Sequence, residues 1–326
     1  MKKVNAWVTL LSTNNEYLYL VLKLKEDLKK VNTKYPLYVG LTSNINEQTR
    51  AVLSAAEIKV FNLNENEIKN SSFYKESIRL GMCEKYVQAT LKLQILKEKR
   101  FNKMVYIDSD MQINENIDDL FEHEHMSAVE NGLPGKLPSS YKIGDSIFCA
   151  GLFVWDFNQA KELNQTTEIF ELLSKLPEGI QWNDQNILNY YFRNWINEPS
   201  KHLNWTYGLM CGDSELKAVG EGNLNKDSIK VMHFVSDTKN KMPFKTIKQE
   251  SDLMYPYIKT YFGSVNEAVR KINNLNLENV PKLPLLQVEN IRLKSKKEKK
   301  KEIPKTIVPK AEPFTGLSEE WWKEDF

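Results

Sequence analysis

The sequence predicts an α/β fold in which helices cover a mostly parallel sheet. Runs of β-branched and aromatic residues alternate with longer stretches of helical period, which is the pattern of strands joined by crossover helices. The chain has 326 residues, 41% of them hydrophobic, which is enough for one large α/β domain or two small ones. The three cysteines are widely spaced and odd in number, so neither a disulfide framework nor a zinc ribbon is expected.

The first part of the chain predicts three strands and three helices. The strands are the runs NAWVTLL, PLYVGLT and IKVFNL, and the first two helices lie around residues 15–30 and 46–56. A long helix, EKYVQATLKLQILKEK, is expected over residues 84–99. Its apolar residues fall on two faces, which indicates that it is largely buried and makes the charged Lys92 notable.

Four more strands and several helices follow. KMVYID predicts a strand, NIDDLF a short helix and MSAVEN a strand, and a loop rich in Gly, Pro and Ser then runs from Asn131 to Asp145. FCAGLFVWDF predicts another strand, with helices near residues 158–175 and 183–195. KVMHFV, at residues 230–235, is expected to be the last strand of the sheet.

The composition changes near residue 282. Residues 1–281 form the predicted folded domain, and residues 282–310 are rich in Lys and Pro, which predicts a flexible linker. Residues 311–326 are acidic and contain two adjacent tryptophans, a composition that fits either a docking peptide or a solvated tail. The lysine run at 294–301 has no interleaved aromatic residues, so it is interpreted as linker rather than as a nucleic-acid or membrane site.

Charge and hydropathy restrict the location and the partners. The net charge is only +2, which argues against a nucleic-acid partner for the whole molecule. No run approaches the roughly 20 apolar residues of a membrane span, and the opening MKKVNAWVTLL is interpreted as a first strand rather than a signal peptide. Together with the sparse cysteines, these features predict a soluble, cytoplasmic protein.

Two carboxylates follow the strand KMVYID in the step Asp108-Ser109-Asp110. Carboxylates at the carboxyl end of a central strand face the ligand crevice of an open α/β sheet, and hard oxygen ligands suit Mg²⁺ or Mn²⁺. The alternative is that both residues only cap the following turn. His233 ends another predicted strand, where it is either a satisfied core histidine or an imidazole that would favour Mn²⁺ over Mg²⁺.

Two further positions also allow a structural and a functional interpretation. Asn183-Asp184-Gln185 opens a helical pattern, as an N-cap followed by an acidic first turn. Asp184 and Gln185 can equally point into a crevice, because first-turn side chains lie at the mouth of a helix. Lys92 either extends out of its helix to solvent or provides a fixed cation for an anionic phosphate.

Five segments occur along the chain in an order typical of one enzyme family. They are LSTNNEY, TLKLQILKEKRFNKMVYIDSDMQINENIDDLF, FCAGLFVWD, WNDQNILNYYF and VMHFVSDTKNKMPF. Together they resemble glycogenin and its relatives, the family 8 retaining glycosyltransferases, over about residues 4–250. Lys92 stands sixteen positions before Asp108, as the lysine of that family does.

The resemblance implies a GT-A fold, a single nucleotide-binding domain that binds a UDP-sugar through a divalent cation, usually Mn²⁺. Asp108, Asp110 and His233 match the family's metal ligands. Further positions match the surface that holds the nucleotide and the rest of the donor: Leu11, Thr13, Asn14, Tyr17, Ser109, Ala150, Gly151, Ser236 and Lys239.

The same resemblance implies the catalytic residues. Lys92 matches the active-site lysine, which would also contact the donor and stabilise charge on the departing diphosphate together with the cation. Asp184 and Gln185 match the pair beside the donor sugar. There Asp184 would stabilise an oxocarbenium-like centre, as a carboxylate or as a transient nucleophile.

Several positions depart from the family pattern. Cys149 replaces an asparagine near the sugar, which leaves the donor sugar open, and Gln181 replaces an acidic residue, which leaves acceptor handling open. Ser236 replaces a glycine whose backbone meets the phosphate. The phosphate-side lysine can be aligned as Lys239 or Lys241.

The function implied is the metal-dependent, retaining transfer of a hexose, glucose or galactose, from a UDP-sugar to a hydroxyl group of a protein, glycan or polyol. The expected partners are UDP-glucose or UDP-galactose, the acceptor, a protein bound at residues 311–326 and a second copy of this chain. The alternative is a non-catalytic scaffold that recruits partners through its tail. The complete set Asp108, Asp110, His233 and Lys92 favours the enzyme, because a scaffold need not keep it.

Overall fold

The apolar runs identified above form most of the strands. In the computed structural model the strands are β1 Val4–Leu11, β2 Leu37–Leu41, β3 Lys59–Asn62, β4 Phe101–Ile107, β5 Met111–Ile113, β6 Ala128–Glu130, β7 Phe148–Asp156, β8 His202–Leu203, β9 Leu209–Met210 and β10 Val231–His233. Seven of them form one sheet in the order β3-β2-β1-β4-β7-β6-β8. β1 is parallel to β2 and β4, and β2 to β3, whereas β7 is antiparallel to β4 and β6. The predicted mixed, mostly parallel sheet is therefore confirmed.

The structure describes most of the chain up to residue 286. The described ranges are 3–14, 16–82, 84–133, 135–221, 228–234 and 255–286. Ser236 and Lys239, most of the predicted linker and the segment 311–326 lie outside these ranges. All elements described here belong to one compact unit, Met1–Leu293.

The prediction that residues 230–235 form the last strand of the main sheet is wrong. β10 belongs to a second, three-stranded sheet in the order β5-β10-β9, where it is antiparallel to β5 and parallel to β9. The turn after β4 takes β5 out of the main sheet, and β10 follows it. A three-residue strand carries no sequence signal that selects its partner, because strand pairing depends on non-local packing.

Ten α-helices lie between or after these strands in the described residues. They are α1 Glu16–Lys30, α2 Glu47–Ala55, α3 Asn66–Asn70, α4 Ser72–Arg79, α5 Glu84–Ala89, α6 Phe157–Glu162, α7 Gln165–Leu172, α8 Asp184–Tyr191, α9 Asp213–Gly220 and α10 Tyr255–Asn274. The predicted helix at 158–175 is divided into α6 and α7 at Asn164, whose φ is +54°. Within the described residues, no helix has both the length and the apolar character that crossing a bilayer requires.

The long helix predicted over residues 84–99 is also divided. α5 ends at Ala89 and continues as the 3₁₀ helix Thr90–Lys97. At this junction Thr90 Oγ1 donates a hydrogen bond to Val87 O at 2.5 Å. The predicted burial is confirmed for the second part, since each residue from 90 to 96 is buried. Lys92 therefore enters the interior from a helix that has three residues per turn rather than 3.6.

The start of the predicted linker lies against α10. The side chain of Asn266 hydrogen-bonds the carbonyl and the amide of Leu286, and Asn273 does the same for Leu283. Leu286 is buried. The boundary at residue 281 stays a prediction, because the remainder of the linker lies beyond the described residues.

A buried histidine, His125, joins the end of β7 to α7. Its Nδ1 accepts a hydrogen bond from the Asp156 amide at 3.0 Å, and its Nε2 lies 2.6 Å from Gln165 Oε1. Since the amide can only donate, Nδ1 is the acceptor and Nε2 carries the proton. Burial lowers the pKa of His125 to about 4, so the imidazole is neutral in the folded protein at pH 7.

Candidate active site

A cavity of about 240 Å³ opens at the carboxyl ends of β1 and β4. The neighbouring ends of parallel strands are the usual position of a ligand crevice in an open α/β sheet. The cavity wall includes ten residues that the sequence singled out, namely Thr13, Tyr17, Lys92, Asp108, Ser109, Asp110, Gly151, Asp184, Gln185 and His233.

Asp108, Asp110 and His233 form a cluster in this cavity. Each offers one ligand atom, and the three atoms lie within 4.8 Å of one another. His233 Nε2 is buried, has no hydrogen bond to the described residues and faces Asp110 Oδ1 at 3.4 Å. Two carboxylates and an imidazole nitrogen at this spacing fit a single divalent cation.

The short strands β5 and β10 bring the cluster together. A turn closed by a hydrogen bond from Met111 N–H to Asp108 O, 3.2 Å long, leads from β4 into β5. In the β5–β10 ladder His233 is opposite Met111, and Phe234 N–H donates to Asp110 O at 3.2 Å. The pairing of β10 with β5 thus places His233 beside two aspartates that are far from it in the sequence.

Because Gly151 has no side chain, there is room beside it for the side chains of Asp108 and His233. Its carbonyl accepts a hydrogen bond from the Asp108 amide at 2.7 Å, so β7 and the aspartate turn are in direct contact. A Cβ atom at this position would lie 2.8 Å from Met111 Cε, 2.9 Å from Asp108 Oδ2 and 2.9 Å from His233 Cε1. The site therefore requires a residue without a side chain at position 151.

Lys92 connects the cluster with α8. Its Nζ lies 2.6 Å from Asp184 Oδ2, 3.1 Å from the carbonyl oxygen of Ala150 and 3.5 Å from Asp108 Oδ1. The side chain is only 4% exposed, so the interpretation that Lys92 extends to solvent is wrong. An ammonium group has three N–H donors, and these three oxygens match them in number.

Nearby charges and burial both shift the pKa values of Lys92 and Tyr106. Burial alone would lower the pKa of Lys92, but the carboxylates of Asp108 and Asp184 raise it well above the ordinary value. Tyr106 OH donates to Asp108 Oδ1 at 2.9 Å, and Lys92 Nζ lies 4.5 Å from the centre of its ring. Burial, reinforced by Asp108, raises the pKa of Tyr106 well above the ordinary value. Lys92 is therefore a permanent cation, and Tyr106 is a neutral hydrogen-bond donor.

The first turn of α8 provides both a helix cap and side chains that line the cavity. Asn183 caps the helix, since its Oδ1 accepts a hydrogen bond from the Asn186 amide at 2.8 Å. Asp184 and Gln185 nevertheless line the cavity. Gln185 Oε1 accepts a hydrogen bond from the Ala150 amide at 3.1 Å, so its amide nitrogen is the group that it can present to a ligand. Ala150 thus contributes its backbone to both Lys92 and Gln185.

The loop after β1 forms the opposite side of the cavity. Thr13 and Tyr17 line it, and Thr13 Oγ1 is buried without a hydrogen bond to the described residues. Leu11, which the resemblance assigned to this surface, has its side chain fully buried in the core, and Leu10 lines the cavity instead. Alternation along a strand explains the difference, because neighbouring side chains point to opposite faces.

Asn14 is held next to this side by hydrogen bonds, and Ser109 lines the cavity. Asn14 Nδ2 donates to Asn44 O at 2.7 Å, and its Oδ1 accepts from the Asn46 amide at 2.7 Å. These bonds join the loop after β1 to the loop after β2. Ser109 is buried between the two aspartates and lines the cavity.

Cys149, which departs from the family pattern, directly contacts the cluster. Among the described residues it is the one departure that does so. Its Sγ lies 3.6 Å from His233 Nδ1, so the thiol faces one ring nitrogen and Asp110 faces the other. Burial alone would lower the pKa of His233, but Asp110, with a smaller contribution from Cys149, raises it to about 10. The surroundings of this imidazole therefore favour a positive charge at Nε2, whether a proton or a metal ion.

The family model for glycosyl transferase family 8 matches residues 8–240, which include every cavity residue named above. The chain belongs to glycosyltransferase family 8. Several relatives of this family 8 chain are plant enzymes. Galactinol synthase 1 of Arabidopsis thaliana is 34% identical over 259 residues, which are 70% of this chain and 69% of that protein.

Galactinol synthase 1 of Solanum lycopersicum is 29% identical over 224 residues, and the match spans 63% of this chain. It covers 64% of the tomato protein, which is less than two thirds of its length.

Solved structures confirm the GT-A fold of this family 8 domain. The galactosyltransferase LgtC, in complex with donor and acceptor sugar analogs, matches with a TM-score of 0.54 and 14% identity over 81% of this chain and 96% of its own. Apo GlyE of Streptococcus pneumoniae TIGR4 matches with a TM-score of 0.52 and 17% identity over 83% of this chain and 64% of its own. At these identities the likeness shows the fold alone.

The family 8 cavity also contains residues that sequence reasoning missed. These are Leu10, Ser12, Tyr86, Gln88, Ala89 and Tyr106, together with Asn183, which the sequence identified only as a helix cap. The phenol of Tyr106, two positions before the first aspartate of the step, was an available signal, because a polar tip on a buried strand needs a partner. Tyr86 and Gln88 gave no such signal, since the helical pattern around them indicates only packing.

Proposed function

We propose that this chain is a retaining hexosyltransferase that takes glucose or galactose from its UDP-sugar, with Mn²⁺ or Mg²⁺, and passes it to a hydroxyl group of a protein, glycan or polyol. The observation that carries the proposal is the presence in one cavity of Asp108, Asp110 and His233 beside the buried pair Lys92–Asp184. Membership of family 8 supports the reaction class. A scaffold would have no need of this arrangement.

The cluster fits a divalent cation by its donor set. Carboxylate oxygens suit Mg²⁺ and Mn²⁺ alike, and the imidazole of His233 favours Mn²⁺. When bound, the cation would supply positive charge to the diphosphate leaving group. The buried Nε2 of His233, which lacks a hydrogen bond to the described residues, supports this assignment.

In this proposal Lys92 acts mainly through Asp184. Its three N–H groups are matched by Asp184, Ala150 and Asp108, so it contributes its charge to the site without a hydrogen bond reserved for a phosphate. The ion pair holds the Asp184 side chain in place in a largely buried position, since only 8% of that residue is exposed. A fixed carboxylate can stabilise the positive charge that develops at the glycosyl centre.

Gln185 and the loop after β1 would select the donor. The Ala150 amide occupies the amide oxygen of Gln185, so its nitrogen would donate to a sugar hydroxyl. Thr13 and Tyr17 would contact the uridine on the opposite wall. The relatives named galactinol synthase favour galactose over glucose as the transferred sugar.

A panel of nucleotides tests the donor class. UDP, GDP, ADP, UDP-glucose and UDP-galactose are each added with and without Mn²⁺, and the melting temperature of the full-length protein is measured. Ligands that bind only the native state raise its stability by mass action. We expect selective stabilisation by UDP and UDP-sugars with Mn²⁺, and equal shifts for all three diphosphates would exclude a uridine site. Intact mass after incubation with each donor then reports self-modification.

Asp110→Asn tests the metal assignment. Asp110 is 2% exposed and faces His233, and an amide keeps its size while removing its charge. We expect loss of Mn²⁺-dependent transfer and donor hydrolysis, with the circular dichroism spectrum unchanged. Wild-type activity that persists in excess chelator would refute the assignment.

Four broader statements remain part of the proposal. The domain limits at residues 281 and 310, the docking role of residues 311–326 and the second copy of the chain rest on sequence and resemblance. A cytoplasmic location is supported by the few, widely spaced cysteines of the sequence and by Cys149, which is a buried free thiol.

A further inference from the structure

The outer edge of β5 is covered by two side chains of α1 rather than by another strand. β5 is an edge strand whose inner side pairs with β10. On its outer side Lys23 Nζ donates to Met111 O at 3.1 Å, and Ile113 N–H donates to Asp27 Oδ2 at 3.2 Å. A carbonyl and an amide that a neighbouring strand would otherwise satisfy are therefore satisfied by a lysine and an aspartate.

Lys23 and Asp27 also form a buried ion pair. Nζ lies 2.5 Å from Oδ2, and the side chains are 0% and 4% exposed. Their spacing of four residues places both on one face of α1, beside Leu20 and Leu24. Burial lowers the pKa of Lys23, and the charges of Asp27 and Asp110 oppose this effect. A buried ion pair is weak evidence for stability, because desolvation offsets the attraction, so another role is called for.

α10 completes the enclosure of the pair. Lys23 Nζ lies 4.5 Å from the centre of the Tyr261 ring, and this ring stacks on Phe234 with centres 4.0 Å apart. Phe234 in turn donates its amide hydrogen to Asp110 O. The pair thus connects α1 and α10 with β5, which follows Asp110, and with β10, which contains His233.

We infer that Lys23 and Asp27 are positioning residues that fix β5, and through it Asp110 and His233, for binding of the cation. The inference rests on the proposed function, because it presumes that the cluster binds a metal. Asp110 directly precedes β5, and His233 is opposite its first residue. A shift of β5 along or away from β10 would therefore change the separation of two of the three candidate ligands.

The full-length double variant Lys23→Met, Asp27→Leu tests this role. It removes both charges together, so no unpaired charge is left in the core and the fold should be retained. Met111 O and Ile113 N–H nevertheless lose their partners. Calorimetric titration of Mn²⁺ in the presence of UDP should show affinity about tenfold weaker or more, as when the outer support of metal ligands is removed. In the metal-free protein the Ile113 amide should lose protection from hydrogen exchange.

The matched control is Lys30→Met, Glu267→Leu. This pair also joins α1 to α10, at 2.9 Å, but its side chains are 46% and 48% exposed, and its hydrogen bond and ion pairs in the described residues involve only α1 and α10. Mn²⁺ affinity and Ile113 protection should both be unchanged. Lys23→Gln, Asp27→Asn is the second variant if the first does not fold. It leaves no charge in the core, provides a side-chain amide donor for Met111 O and keeps an acceptor oxygen for Ile113, so protection and affinity should stay near the wild-type values.

The two readouts separate this inference from the proposed function. If the wild-type protein binds no Mn²⁺ with UDP, the proposed function fails, and unchanged protection of Ile113 in the double variant would also overturn the inference. If the wild type binds Mn²⁺ and the Lys23/Asp27 double variant binds it equally well, the positioning role is overturned while the proposed function stands. A tenfold loss of affinity in Lys23→Gln, Asp27→Asn with Ile113 still protected would overturn it too.

Discussion

Replacing Gly151 by alanine tests the geometry of the candidate cation site with a single methyl group. The added Cβ would meet Asp108 Oδ2 and His233 Cε1, both at 2.9 Å, and Met111 Cε at 2.8 Å. Ordinary contact begins at 3.4 Å, so each neighbour is at least 0.5 Å too close. The methionine methyl can swing away, but Asp108 is held by its hydrogen bonds to Tyr106 and Gly151, and His233 lies within β10.

The displacement that the added methyl group forces on its neighbours should cost little stability but much activity. Overpacking of a core typically costs about 1–3 kcal/mol, which in a chain of this size lowers the melting temperature by at most about 2–4 °C per kcal/mol. A productive site tolerates displacements of about 0.5 Å, and a misplacement of about 1 Å can cost a factor of roughly 100 in rate. We therefore expect Gly151→Ala to lose about 10- to 100-fold of its activity while staying folded at 25 °C.

The assay is Mn²⁺-dependent hydrolysis or transfer of the UDP-sugar, measured over a range of Mn²⁺ concentrations. Gly263→Ala is the control, because a Cβ there meets no atom within 4 Å and the residue lies within α10. That variant should keep full activity and gain up to about 1 kcal/mol of stability from helix propensity. Wild-type activity and Mn²⁺ dependence in Gly151→Ala would refute the arrangement of ligands described here.

Three further predictions use other parts of the structure. Asp184→Asn should reduce sugar transfer about 100-fold or more, because it removes the charge beside the glycosyl centre, and an equal loss of UDP binding would contradict this role. The free energy of unfolding should fall by about 3 kcal/mol between pH 6.5 and pH 4, because unfolded His125 takes up a proton that the folded residue, with its pKa of about 4, does not. Urea unfolding across this range measures it, and His125→Gln should be less dependent on pH unless other groups cause the loss. Cys149→Ser should weaken Mn²⁺ binding by up to about tenfold, since it changes the group that faces His233 Nδ1, and unchanged affinity would show that the thiol does not orient the imidazole.

Local chemistry made much of the fold predictable. The strands β1, β2, β4 and β7 coincide closely with apolar runs, since a strand buried on both faces is a nearly continuous hydrophobic segment. The helix break after Ala89 was not predictable, because the pattern of apolar residues is similar for one long helix and for an α-helix that tightens into a 3₁₀ helix. The sheet to which β10 belongs depended on pairing with β5, which three residues do not encode.

Some residues of the candidate site could also be predicted from the sequence, and others could not. Asp108 and Asp110 could be located from the strand before them, and Asp184 from the start of a helix, because element ends determine where polar side chains gather. Leu11 was assigned to the cavity surface, whereas Leu10 lines the cavity, because neighbouring side chains of β1 point to opposite faces. The contact between Lys92 and Asp184 joins two helices ninety-two residues apart, so it depends on how both pack on β7.

By itself, the sequence determined the α/β class, the order of most strands and helices, and the residue types that can hold a cation beside a diphosphate. These properties follow from periodicity and from the chemistry of single side chains. The tertiary structure alone decided that the Lys92 ammonium is enclosed by two carboxylates and a carbonyl, that Gly151 leaves room for the cluster, and that Lys23 and Asp27 hold β5. Each of these depends on distances between segments that are remote in the chain, and only the packed fold sets them.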